Sequence, residues 1–188
     1  MSSTGLPAPA SGDAVAPAWR VVVMGVSGCG KSTLGRALAD RLGVNFVEGD
    51  ALHSERNVAK MAAGTPLTDA DRHGWLQAVA EQLNNPTAAA QGVVASCSAL
   101  KRSYRDLLRA GASDLRFVFL HGDPALLAAR LAGRSGHYMP PSLLQSQLDT
   151  LEHPAADEAA IALDIALPPA TLVDEAVRRL TLTQETAA

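Results

Sequence analysis

The chain has 188 residues, a length that suits one globular domain with a sizeable buried core. Its 47% hydrophobic and 19% charged residues sit near the globular norm. A formal net charge of −3 excludes a global basic field that would draw it to nucleic acid or an anionic membrane.

Residues 1–18 are rich in Ala, Pro, Ser and Gly and hold no Lys or Arg. They lack the basic start of a secretory signal and the arginines of a mitochondrial leader, and read as a disordered tail. No stretch approaches the roughly 20 apolar residues that span a bilayer. Two isolated cysteines, Cys29 and Cys97, make no disulfide framework. A cytoplasmic protein with reduced thiols is expected, its single domain covering 19–181, with 182–188 as a short C-terminal tail.

Arg20 to Met24 (RVVVM) is β-branched without alternation, as in a strand buried on both faces. A helix follows over 31–42, with Leu34, Leu38 and Leu42 on one face and Gly43 as its stop. Residues 44–47 form a second strand. The next segment, 51–86, reads as two helices outside the sheet: one over 53–63, broken by Gly64-Thr65-Pro66, and one capped by Thr68 and closed by Pro86. Trp75, Leu76, Val79 and Leu83 fall at helical spacing on the second. Strands over 92–97, 115–120 and 161–166 alternate with helices over 100–109, 123–131, 143–151 and 170–180. Asp123-Pro124 is a helix start, and 133–141 is a Gly-rich loop. The alternation predicts an α/β fold around a parallel sheet.

Gly25-Val26-Ser27-Gly28-Cys29-Gly30-Lys31-Ser32 fits G-x-x-x-x-G-K-[ST] at every fixed position and lies between a predicted strand and a predicted helix. Glycines let backbone N–H groups turn onto a polyphosphate, and the helix N-terminus adds partial positive charge. Lys31 then reaches the β- and γ-phosphates, and Ser32 offers its hydroxyl to Mg²⁺. Cys29 stands where a helix N-terminus lowers a thiol pKa, although a tolerated small side chain is the plainer reading.

A guanine-reading N-K-x-D segment is absent, and Asp71-Arg72-His73-Gly74 matches D-x-x-G only inside a helical stretch. The third strand ends without the acid a motor ATPase carries. A small-molecule kinase explains the chain better than a switch or motor. Asp50, at the end of the second strand, is the expected base for an attacking hydroxyl. Glu48 could reach Mg²⁺ through water. Arg130 and Arg134, four residues apart beside the Gly-rich loop, are expected to clamp the transferring phosphoryl group or the nucleotide. His137 and Tyr138 could shield the site on closure. Around Asp50 cluster His53, Arg56, Arg72, Lys101 and Arg105, which suggests a small anionic alcohol as acceptor.

The stretches "GVSGCGKSTLG", "EGDALHSERNVAKMAAGTPLTDADRHGWL", "CSALKRSYRDLLR" and "RSGHYM" resemble, in order, the gluconokinases, small P-loop sugar-acid kinases related to shikimate kinase. Shikimate kinases themselves carry a glycine triplet where this chain has Ser98-Ala99-Leu100. The resemblance implies a P-loop kinase fold with a five-stranded parallel sheet, a helical substrate-binding insertion over 51–86 and a lid near 133–141. It also implies ATP- and Mg²⁺-dependent phosphorylation of D-gluconate at its 6-hydroxyl, and a homodimer. On this chain 28–33, Thr33 included, would hold the ATP phosphates, and Asp50 would orient the acceptor hydroxyl. His53, Arg56, Arg72, Lys101 and Arg105 match positions in or near the sugar-acid pocket. Glu48 departs from the Asp of many relatives.

Overall fold

The computed structural model of the protein describes residues 18–133 and 143–185. The sequence readings that fall on 1–17, on 134–142 (Arg134, His137 and Tyr138 among them) and on 186–188 lie outside the described residues.

Five strands, β1 (Arg20–Met24), β2 (Asn45–Glu48), β3 (Val93–Ser96), β4 (Arg116–His121) and β5 (Ile161–Asp164), form one sheet in the order β2-β3-β1-β4-β5. Every pairing is parallel. The lack of alternation in β1 has the expected cause. Val21 and Val23 enter a core on one face, and Val22 and Met24 enter a core on the other. The edge strand β5 alternates buried and exposed residues instead.

Helices α1 (Lys31–Leu42), α6 (Pro124–Ala132), α7 (Leu143–Thr150) and α8 (Pro169–Glu185) cover the first face through Leu34, Leu38, Leu127, Leu144, Val173 and Leu180. The second face packs against α3 (Asp69–Asn84), α4 (Pro86–Gln91) and α5 (Arg102–Arg109) through Trp75, Leu76, Val79, Ala88, Tyr104 and Leu108. The short α2 (Glu55–Ala62) stands with α3 between β2 and β3 in the chain, as the sequence predicts. Thr68 caps α3 with Asp71 in a reciprocal capping box. Asp71-Arg72-His73-Gly74 is thereby helical and not a nucleotide-switch motif.

Several boundaries differ from the sequence reading, most by one or two residues, and three of the differences are informative. Pro86 does not simply end α3. It occupies the first turn of a further helix, α4, whose Ala88 N–H donates to the Asn85 side chain at 2.8 Å. The helix read over 53–63 starts two residues later, because Gly49–Leu52 form a 3-10 turn. The C-terminal tail read from 182 is helical to Glu185, and the Thr181 and Thr183 hydroxyls satisfy themselves within that helix on Val177 O and Arg179 O.

The chain crosses from β1 to β2 in one direction and from β3 to β4 in the other. The carboxyl ends of β1 and β3 therefore flank the topological switch point, where open α/β sheets bind ligands. The loops there are stitched together. Gly25 N–H donates to Ser98 O at 3.3 Å, and Gly49 N–H donates to the Ser96 hydroxyl at 3.1 Å. A side chain at Gly49 would overlap the Ser96 carbonyl oxygen, so the backbone after β2 runs against β3 in a way that only glycine allows. Gly49→Ala is expected to cost roughly 1–3 kcal/mol through forced backbone displacement. Thermal unfolding of the variant measures this, with activity falling alongside.

Candidate active site

The glycine-rich loop after β1 ends in Gly30, which has a left-handed backbone (φ 96°) and leads directly into α1. Lys31 and Ser32 are thus the first two residues of that helix, where free N–H groups and the helix dipole favour an anion. Lys31 Nζ curls over the loop and donates to Val26 O at 3.1 Å.

The loop is a wall shared by two cavities. On one side lies a cavity of about 400 Å³, bounded by Gly28, Cys29 and Gly30 and, opposite them, by Arg130, Leu167 and Pro169. Its other walls are chiefly apolar residues of α1 and α8, such as Ala37 and Val173. Thr33 lines it as well. Arg130 projects from α6 and is anchored by donating to Ile165 O at 2.8 Å. On the loop's other side is a tighter cleft lined by Ser27, Lys31, Asp50, His53, Arg72 and Trp75, with Met61, Leu67, Ser98 and Gln147 completing it.

Asp50 lies in the 3-10 turn after β2, half-buried, and lines the same cleft as Lys31. Trp75 fixes the turn. Its indole N–H donates to Gly49 O at 2.7 Å, and its ring stacks on His53 with centroids 4.2 Å apart. Burial pushes the His53 imidazole down to about 4, with Arg72 adding to the shift and Asp50 opposing it. His53 is therefore neutral at physiological pH, and its buried Nδ1 has no hydrogen-bond partner among the described residues. Arg72 comes from the first turns of α3 and is held by donating to Leu67 O at 2.6 Å.

Of the five basic residues expected around Asp50, the cleft brings together His53 and Arg72. Lys101 stands outside it, ion-paired to Asp69 at 2.8 Å, while Tyr104 donates to the same carboxylate. The Lys101 and Tyr104 hydrogen bonds hold the Asp69 carboxyl below its ordinary value. Arg56 is exposed on α2 and does not line the cleft.

Arg105 is a correction. It is fully buried and forms a bidentate pair with Glu158 at 2.5 and 2.8 Å. Its Nη1 donates to Ala99 O, Leu100 O and Glu152 O. The helix position read as facing an acceptor instead clamps the loop after β3 from behind. Glu158 belongs to a 3-10 turn (Ala156–Glu158) that the sequence reading missed, so the partner that claims the arginine was not visible.

Glu48 is likewise engaged. It accepts from the Ser96 hydroxyl and pairs with Arg36 at 3.7 Å, away from the cleft. Cys29 is buried, and that burial raises its thiol pKa against the helix terminus and Lys31. It is therefore a small packed side chain rather than an activated thiol. Cys97, behind Asp50, is pushed up to about 12 by burial.

Trp75 and Gln147 are site residues that the sequence reading did not assign. Trp75 hid among core positions at helical spacing. Gln147 lies on the apolar stripe of α7 with Leu143, Leu144 and Leu148, and one polar residue on such a stripe was the available signal.

A family model described as an AAA domain matches residues 21–154. The chain is 49% identical to a gluconokinase of Gluconobacter oxydans over 84% of this chain and 89% of that one. It is 45% identical to the thermoresistant gluconokinase of Escherichia coli over 78% of this chain and 85% of the relative. A crystal structure of a gluconokinase from Sinorhizobium meliloti superposes with a TM-score of 0.82 at 51% identity, covering 91% of this chain and 95% of the other.

The buried pair yields a test that separates structure from catalysis. The Arg105 hydrogen bonds hold the Glu158 carboxyl down to about 2, from an ordinary 4.5. A depressed folded value contributes stability that is complete above about pH 4.5 and is lost as pH falls through about 2. Glu158→Gln is expected to lose roughly 3–5 kcal/mol at neutral pH by stranding Arg105. In denaturant titrations between pH 2 and 5, its stability should vary less with pH than that of the wild type.

Two cavities divided by one phosphate-binding loop, an aspartate lining the same cleft as the loop's lysine and this degree of likeness agree: the chain belongs to the gluconokinases, within the P-loop kinases.

Proposed function

We propose that the protein transfers the γ-phosphoryl group of ATP to the 6-hydroxyl of D-gluconate, giving 6-phospho-D-gluconate and ADP. The carrying observation is the narrow cleft that sets Asp50, His53 and Arg72 against Lys31, on the opposite side of the loop from the large apolar cavity. The apolar cavity suits a purine and ribose, with the phosphates running over 28–33 towards Lys31. Arg130 lies along the nucleotide rather than the acceptor.

In the cleft each group has a distinct task. Asp50 orients the 6-hydroxyl and accepts its proton as the oxygen attacks in line. Lys31 neutralises the oxygens of the transferring group. Lys31 and Arg72 are the cations that line the cleft among the described residues; with Lys31 given to the phosphates, Arg72 is assigned the gluconate carboxylate. Neutral His53 offers its unpartnered Nδ1 to a hydroxyl of the sugar chain.

The donor set fits Mg²⁺. No group of three or more His, Cys, Asp or Glu among the described residues forms a metal site by itself, and Mg²⁺ in such enzymes takes one or two protein oxygens plus phosphates and water. The Ser32 hydroxyl and the Asp50 carboxylate are the hard oxygens beside the loop. Held there, the ion would supply neutralisation of the phosphate charge. The same reading carries a cytoplasmic homodimer, and the buried free thiols of Cys29 and Cys97 accord with a reducing compartment.

Purified protein with MgATP should release ADP in the presence of gluconate and not with shikimate or AMP; turnover on another acceptor without turnover on gluconate would overturn the reading. Asp50→Asn is expected to lower kcat by about 10²-fold or more while ATP binding, followed by calorimetry, is retained. For Arg72→Gln, the KM for gluconate should rise roughly tenfold or more, with the KM for ATP changed far less.

A further inference from the structure

The cleft has two walls that must keep a fixed distance for in-line transfer. One is the phosphate loop, and the other is the α2–α3 insertion that carries His53, Arg72 and Trp75. These walls are far apart in sequence, and helix α7 touches both. Leu143 packs with Met61 and Leu67 of the insertion in a small apolar cluster of their own. Gln147, four residues on and therefore on the same face of the helix, reaches the loop: its Oε1 accepts the Ser27 N–H at 2.7 Å, across 120 residues of sequence. Leu144, between them, is rooted in the main core under β1 and β4.

Gln147 is an unusual occupant of that stripe. It is only 8% exposed and lines the cleft itself beside Asp50 and Lys31. Ser27 is also buried, so its amide is saturated by a side chain rather than by solvent. An apolar residue here would leave a buried N–H without a partner at the mouth of the phosphate loop.

We propose that Gln147 is a positioning residue for phosphoryl transfer: together with Leu143 it makes α7 the spacer that sets the acceptor cleft against the phosphate loop. Its Oε1 holds the loop at Ser27, and the turn of helix between Gln147 and Leu143 transmits that position to the insertion. The inference rests on the reaction proposed above. Loss of the bond lets the loop and the acceptor hydroxyl drift relative to each other, which penalises the transition state more than the binding of either substrate.

The test compares wild type with Gln147→Leu, which preserves volume and removes the acceptor, in steady-state assays that measure ADP and 6-phosphogluconate separately. The expected result is a fall in kcat of about tenfold or more, with the KM for ATP within about threefold of wild type. More than one ADP should be released per phosphogluconate formed, because water gains access to the misaligned phosphoryl group. A merely structural role would lower Tm and leave the ADP-to-phosphogluconate ratio at unity. A ratio of unity, or a kcat within about threefold of wild type, overturns the proposal. If the leucine variant does not fold, Gln147→Met is judged by the same criteria. Failure of both to fold makes Gln147 a stabilising residue and also overturns it. Wild-type turnover on gluconate reports on the reaction itself, so failure of that reading is distinguishable from failure of this one.

Discussion

The backbone of Gly49 passes against the carbonyl of Ser96 so closely that no side chain fits between them. This contact fixes where β2 ends relative to β3, and the site depends on it. Gly49 N–H is taken by the Ser96 hydroxyl and Gly49 O by the Trp75 indole, so the following residue, Asp50, has little freedom. Trp75 in turn supplies the surface on which His53 stacks. The same Ser96 hydroxyl donates to Glu48, so one small side chain ties the ends of two strands together. A carboxylate that must meet a hydroxyl within hydrogen-bond reach needs this restraint, because a small displacement of the base costs a large factor in rate.

A second layer of restraint lies behind the first. Arg105 and Glu158 are buried as a pair, and the arginine also gathers three carbonyls around the loop after β3. Ser98, in that loop, lines the cleft, and its carbonyl accepts the Gly25 N–H. The charge is thus used to shape a wall, not to contact an acceptor. A buried guanidinium, even with each of its nitrogens bonded to an oxygen, is tolerable in a low dielectric only because a carboxylate accompanies it. The electrostatics of the cleft itself are sparser: Lys31 on the phosphate side, Arg72 on the insertion side, Asp50 between them, and a histidine kept neutral by burial.

Much of this was legible from local chemistry. The phosphate loop, the strand–helix alternation, the Thr68 cap and the Asp123-Pro124 start are short-range patterns whose physics is complete within a few residues. Asp50 could be placed because the carboxyl end of a parallel strand is where ligands gather. The reading failed where a residue's partner lay far away in the chain. Arg105 carries the same positive charge as Arg72 and lies at a comparable place near a helix start, yet one is buried against Glu158 and the other lines the cleft. Lys101 was drawn away by Asp69, and Glu48 by Ser96 and Arg36.

The sequence by itself therefore determined the fold class and the phosphate loop and nominated Asp50 as a site residue, since each follows from backbone freedom, hydrophobic period or position at a strand end. Tertiary structure alone decided which cations line the cleft and which brace the fold. It also decided that Trp75 and Gln147 belong to the site. The physical reason is that a side chain's charge or polarity is local, whereas its burial and its partner are set by elements that meet only when the sheet closes.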